Sequence, residues 1–216
     1  MTSLLKQLNQ NGFLILESVL PNSPLEDLRK NLISIGHEKA GTRNLLHNRW
    51  CIDLANSLKV HPSLKGLLPD KAVAVQCTYF MKSVANNWLV PPHRDQFIPV
   101  RKCLNRSGWS AWSTKEGLTF VRPPQTVLES LVSVRFHVDD NSARNGPLEV
   151  VPKSHIDEGV NTTTRVPCYV RRGGVLVFKP LLLHTSSKVL EGQRRVLHFL
   201  YAPPKLPDGL EWAIMV

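Results

Sequence analysis

The chain carries His-x-Asp twice, at His93-Arg94-Asp95 and at His137-Val138-Asp139. In an extended strand, residues two apart point to the same side, so each pair sets an imidazole beside a carboxylate. Such a pair can fill two adjacent positions around an octahedral divalent ion. A second imidazole completes a face of two histidines and one carboxylate and leaves the opposite face open. That arrangement suits ferrous iron that activates oxygen. A zinc hydrolase can use the same facial ligands, and the spacing alone does not choose between the two pairs.

The third ligand must come from a distant strand. His37, His47 and His61 fall in a helix-rich region and read as surface or core residues, and His155 falls in a turn. His184 follows a strand at Gly174-Val-Leu-Val-Phe178, then Pro180 and an apolar run that leads inward. It is the third candidate ligand. Ten residues on, Arg194 opens the last strong strand. A 2-oxo acid that chelates iron through its keto oxygen and one carboxylate needs a cation for its far carboxylate, and the planar arginine fork binds a carboxylate bidentately. Strand alternation requires either Arg194 or Arg195 to point inward. Ser186 stands near the turn as an added hydroxyl donor. A hydrolase has no use for such an anchor.

Positioning these residues takes a β-rich scaffold. Leu4, Leu5 and Leu8 share a helical face that Gly12 can end, and Phe13–Leu16 reads as a short strand. Ser23-Pro24-Leu25-Glu26 resembles a helix start with an N-cap and a capping-box glutamate. Leu25, Leu28, Leu32 and Ile35 continue it, and Gly36 ends it. A further helix is expected from about Thr42 to Leu58. The period then changes. Lys71–Lys82, Leu131–Val138, Pro147–Pro152, Val166–Val170, Gly174–Phe178 and Arg195–Tyr201 read as strands. Val132, Val134, Phe136 and Val138 alternate with Ser133, Arg135 and His137. Helices followed by short strands indicate α+β: a double-stranded β-helix (jelly roll, cupin-like) with N-terminal helices packed on one sheet. The expected layout is one domain over 1–216, helical to about 70, with the jelly-roll core at about 71–204. The long connection 97–128 is expected to be a partly ordered lid.

At 216 residues the chain is long enough for one compact core. Its 42% hydrophobic and 20% charged residues are ordinary for a soluble globular protein. No apolar run reaches the length of a membrane span, and the start is too polar for a secretory signal, so the cytoplasm is the expected compartment. Cys51, Cys77, Cys103 and Cys168 form no C-x-x-C, which argues against a zinc ribbon or a thioredoxin motif. They read as reduced thiols. The net charge of +10 favours anions, but the basic residues are scattered as on a solvated surface. Nothing in the pattern marks a nucleic-acid partner, and oligomeric state is not legible.

Four segments, in order, carry a resemblance: Asn87-Trp-Leu-Val-Pro-Pro-His-Arg-Asp95; Val134-Arg-Phe-His-Val-Asp-Asp140; Asn145-Gly-Pro-Leu-Glu-Val-Val-Pro-Lys-Ser-His155; and Leu182-Leu-His-Thr-Ser-Ser187 with Arg194-Arg-Val-Leu-His198. From about Phe13 to Ala202 the chain resembles the phytanoyl-CoA dioxygenase family of iron(II)/2-oxoglutarate oxygenases. The resemblance implies that His93, Asp95 and His184 hold Fe(2+) and that His137 and Asp139 are structural. It implies that Arg194, helped by Ser186, anchors 2-oxoglutarate, and that Thr78 and Arg135 fall where other members touch this cosubstrate. O2 is the second cosubstrate. Related halogenases lack the carboxylate that Asp95 supplies, so its presence favours hydroxylation or another oxidation over halogenation, with decarboxylation of 2-oxoglutarate to succinate and CO2. Lys153 stands where many relatives have glycine.

The family name does not license phytanoyl-CoA as the substrate. Lys82, Asn87, Trp88, Gln96 and Trp109 are expected near the pocket mouth, which would suit a small anionic or polar metabolite. The alternative is a non-catalytic jelly roll that binds a ligand or acidic partner through its basic surface. Such a protein would bind regardless of chelators.

Overall fold

A computed structural model describes residues 3–35, 41–157 and 159–216. The order is α1 (Ser3–Asn11), β1 (Phe13–Leu16), α2 (Asn22–Ile33), a 3-10 turn at Leu45–His47, α3 (Arg49–Val60), β2 (Val73–Ser83), β3 (Val90–His93), β4 (Ile98–Val100), β5 (Ser110–Lys115), β6 (Leu118–Arg122), α4 (Gln125–Glu129), β7 (Val132–His137), β8 (Leu148–Val150), β9 (Val166–Cys168), β10 (Val175–Phe178), β11 (His184–Ser186) and β12 (Gln193–Ala202). A five-stranded sheet runs β1-β10-β7-β12-β2, and a four-stranded sheet runs β3-β11-β8-β9. Together they form the double-stranded β-helix, and β4-β6-β5 make a separate three-stranded sheet.

Strand alternation sorts the large sheet into two faces. Cys77, Tyr79, Val134, Phe136, Leu197, Phe199 and Tyr201 face Leu8, Leu25, Leu28, Leu32, Leu54 and Leu58 of the N-terminal helices. Each such leucine contributes about 1.5–3 kcal/mol by leaving water. Tyr201 also donates its hydroxyl to the Ala55 carbonyl at 2.7 Å, which ties β12 to α3. On the opposite face, Lys82 pairs with Arg194, Thr78 with His198, and His198 with Arg135. One strand thus separates an apolar back from a front rich in polar and cationic groups.

The elements depart from the sequence pattern in four places. Helix α2 begins at Asn22, not after a Ser23 cap, and its cap position, Pro21, makes no side-chain hydrogen bond. Pro24 is tolerated because the first-turn N–H groups have no intrahelical acceptor. Gly36, the expected stop, and His37 lie outside the described residues. Helix α3 starts at Arg49 rather than near Thr42, because Thr42 exchanges backbone hydrogen bonds with Tyr79 at 2.8 and 2.9 Å and Asn44 is left-handed at φ 66°. Residues 97–128, expected as a partly ordered lid, contain β4, β5, β6 and α4. Lys153 adopts the left-handed turn that glycine reaches freely, at φ 69°.

Asp139 accepts hydrogen bonds from Arg195 Nε at 2.8 Å, Arg195 Nη2 at 2.7 Å and the Arg195 backbone N–H at 3.0 Å, with Arg29 Nη2 at 3.3 Å. Arg195 therefore points to the helical side and Arg194 to the interior. Among the described residues, Cys51, Cys77, Cys103 and Cys168 are free thiols. No helix there is long and apolar enough to cross a membrane.

His137 is buried on the inner face with no hydrogen-bond partner for either ring nitrogen. Burial, followed by repulsion from Arg135 and Arg194, pushes it well below the usual histidine value. The folded state holds it neutral, while the unfolded chain binds a proton below about pH 6.5. Stability therefore falls as pH drops below that value. His137→Leu should flatten the acid limb of unfolding free energy by up to ~1.4 kcal/mol per pH unit, measured by denaturant unfolding from pH 7 downward. Asp139→Ala should cost about 2 kcal/mol at neutral pH in the same assay.

Candidate metal centre

Within the four-stranded sheet, β3 and β11 pair antiparallel, with His184 directly opposite His93. Their ring centroids are 4.3 Å apart. Just past β3, the Asp95 N–H donates to the Pro180 carbonyl at 2.9 Å, which turns its carboxylate towards the two imidazoles. His93 Nε2 lies 3.7 Å from Asp95 Oδ1, and His184 Nε2 lies 3.8 Å from Asp95 Oδ2. One ligand atom from each of the three residues falls within a 4.8 Å cluster. His93 Nδ1 contacts the Pro91 carbonyl at 2.9 Å, and His184 Nδ1 contacts the Leu182 carbonyl at 2.8 Å. A proton on each Nδ1 leaves each Nε2 lone pair free for a metal, the usual way a backbone acceptor orients a ligating histidine.

Electrostatics agree with that donor set. Burial alone would raise the Asp95 carboxyl, but His184, His198, His93 and Arg135 outweigh it and hold the group below the ordinary carboxylate range. Burial lowers His184, so it stays neutral and able to ligate near neutral pH. Two imidazoles, a carboxylate and an open side fit a ferrous ion.

The open side faces a cavity of 580 Å³, the size class of small-molecule sites. Arg194 borders it, only 1% exposed, with no hydrogen-bond partner for Nε or Nη1. Burial, then Arg135, lowers its pKa well below the usual arginine value. Arginine nevertheless keeps its proton. The site therefore holds a desolvated cation with unused donors, which is costly unless an anion pairs with it. Arg135 stacks over Phe80 at 5.4 Å with its own Nε unpartnered. Thr78 lines the same wall and accepts from Gln76 at 3.0 Å. Ser186 Oγ donates to the Gly146 carbonyl at 3.0 Å and accepts from Lys82 Nζ at 2.9 Å, so its proton is already committed. Lys82 sits beside Arg194, 5.1 Å over the Trp88 ring, and burial followed by Arg194 and Arg135 brings it down to about 7.

Trp88 and Gln96 line the cavity. Asn87 and Trp109 do not. Asn87 spends both ends of its amide on Val189, donating to its carbonyl at 2.7 Å and accepting from its N–H at 2.9 Å. Trp109 is buried in a separate cluster with Trp212 and Leu131, and its indole donates to Asp208 at 2.8 Å. His198 was not singled out from the sequence, yet its Nε2 lies 3.8 Å from Asp95 Oδ2. Burial pushes it down to about 4. Counting by twos along β12 from Arg194 leads to it.

His184→Ala should weaken ferrous or manganous binding on the order of a hundredfold or more, measured by calorimetry under argon. Asp139→Ala should leave that affinity within about threefold, because Asp139 faces the helices.

HygX from Streptomyces hygroscopicus, crystallised with iron, superposes with a TM-score of 0.64 at 19% identity, covering 94% of this chain and 87% of that one. It has also been crystallised with nickel and 2-oxoglutarate. EctD from S. alaskensis gives a TM-score of 0.69 at 15% identity, over 94% and 77% of the two chains. SnoN, a non-heme alpha-ketoglutarate-dependent epimerase from nogalamycin biosynthesis, gives 0.64 at 14% identity, over 93% and 82%. At these identities the likeness establishes a shared fold. A comparison with curated protein sequences found no match. The sequence profile of the phytanoyl-CoA dioxygenase (PhyH) family matches residues 8–196, and the chain belongs to that family.

Proposed function

We propose that the protein is an iron(II)- and 2-oxoglutarate-dependent oxygenase that hydroxylates a small molecule. The observation that carries this reading is the pairing of two features in one cavity. One is the His93, Asp95 and His184 cluster, and the other is Arg194, buried with unused guanidinium donors. A metal face alone would fit a zinc hydrolase. A buried arginine beyond it calls for an anion held at a distance from the metal, as the far carboxylate of 2-oxoglutarate would be. Family membership and the metal- and 2-oxoglutarate-bound neighbours support the same reading.

Each residue then has a physical task. His93, Asp95 and His184 hold the metal, their rings fixed by the carbonyls of Pro91 and Leu182. When bound, iron with 2-oxoglutarate supplies oxygen activation, with release of succinate and CO2. Arg194 takes the far carboxylate. Ser186 contributes by holding Lys82 beside it. Thr78 and Arg135 flank the cosubstrate, and Arg135 also faces the negative charge of Asp95. Leu148, Leu200 and Phe80 keep the inner wall apolar, which strengthens each of these contacts. An intact Asp95 leaves no vacant ligand place for halide, which favours hydroxylation. SnoN, which shares the fold, is described as an epimerase, so the fold by itself does not fix hydroxylation.

An oxygen-dependent succinate assay, run against metabolite pools with mass detection of a product one oxygen heavier, tests the proposal. Slow succinate release is expected with iron, 2-oxoglutarate and oxygen even before a substrate is added. Arg194→Ala should raise the Kd for 2-oxoglutarate on the order of a hundredfold. Succinate release that ignores iron or oxygen, or 2-oxoglutarate affinity untouched by the Arg194 change, contradicts the reading.

A further inference from the structure

The three-stranded sheet β4-β6-β5 borders the cavity, with Ile98 reaching both the cavity and the apolar cluster behind it. Ile98, Val100 and Val121 are buried in a cluster with Trp212 and Leu131. On the other face, the register pairs Ser113 with Phe120 and Lys115 with Leu118. Phe97, Lys115 and Phe120 from this sheet and its flank line the cavity. Lys115 Nζ lies 5.3 Å from the Phe97 ring centre and 5.6 Å from that of Phe120. Arg122 stands 5.4 Å from Phe97. The neighbouring acid is not free to neutralise this group. Glu116 accepts the Arg43 backbone N–H at 2.7 Å and Arg43 Nη1 at 3.2 Å.

The charge balance of the inner cavity points the same way. Among the described residues, Asp95 is the single acid in the wall, against Lys82, Arg94, Lys115, Arg135 and Arg194 besides the paired Arg43. With a ferrous ion and a 2-oxoglutarate dianion seated, Asp95, Arg135 and Arg194 still leave the centre positive. A cationic centre enclosed by apolar walls attracts an anion and resists a second cation. Resting on the function proposed above, we propose that the substrate is an amphipathic oxyanion, its carboxylate or phosphate meeting Lys115 and its apolar body lying on Phe97 and Phe120. The three-stranded sheet is then the part of the molecule that reads the substrate.

The test uses protein loaded with nickel and 2-oxoglutarate, which binds without turnover. Phenylpropionate, phenylethyl phosphate and phenylpropionamide are titrated calorimetrically at low ionic strength. At least one anion should bind about tenfold more tightly than the amide, and Lys115→Gln should bring anion and amide within about twofold. Lys115 is exposed, so its replacement leaves the packing intact. The stronger of the two anions identifies the headgroup. Three results overturn the proposal: amide binding equal to both anions, no anion binding in the millimolar range, or a preference that survives Lys115→Gln unchanged. Failure of 2-oxoglutarate itself to bind the nickel-loaded protein is a separate result. It sinks the function proposed above, and this inference with it.

Discussion

The antiparallel pairing that sets His184 opposite His93 is the contact on which the rest of the centre depends. β3 and β11 are short, of four and three residues, so neither is stable alone. They hold register because the Thr185 hydroxyl donates to the Val90 carbonyl at 2.6 Å and the Asp95 N–H donates to Pro180 at 2.9 Å. A slip of one residue would turn an imidazole to the wrong side of the sheet. The long sheet and its helices supply the rigidity against which this small sheet closes.

The inner face of β12 carries a different constraint. Arg194 and His198 sit four residues apart on one side, opposite Lys82 and Thr78 on β2, while Arg135 faces His198 from β7. Packing Lys82, Arg135 and Arg194 against one another on this inner face costs stability, because buried charge without a counter-ion is unfavourable. The apolar reverse of the same strands, where Leu197, Phe199 and Tyr201 meet the helices, offsets that cost. A dianionic cosubstrate relieves it directly. On this account the protein is stabilised by what it binds.

Much of this was legible in the sequence, for physical reasons. The period of two through Val132–His137 separates core from cavity without ambiguity, and the same rule makes Arg194 and Arg195 diverge. His93, His184 and Arg194 come together through their positions on strands, whereas Asp95 lies just past the end of β3 and is turned inward by its hydrogen bond to Pro180 rather than by strand alternation. What was not legible depends on long-range partners. Asn87 and Trp109 have the right types for a binding surface, yet Val189 and Asp208 claim their polar groups. The strands within 97–128 are short and pair mainly with one another, so a weak local pattern concealed them. The start of α3 was set by a backbone bridge from Thr42 to Tyr79, which no local propensity records.

The central claim is that one cavity holds iron and a 2-oxo acid together, bound through the same three ligands. Visible absorption under argon tests this most directly, with 2-oxoglutarate added to the iron(II)-loaded protein. A weak charge-transfer band should appear that requires both components, is lost in His184→Ala, and does not form when zinc replaces iron. Absence of the band from wild-type protein that has demonstrably bound both iron and 2-oxoglutarate would contradict the claim, as would an undiminished band in His184→Ala.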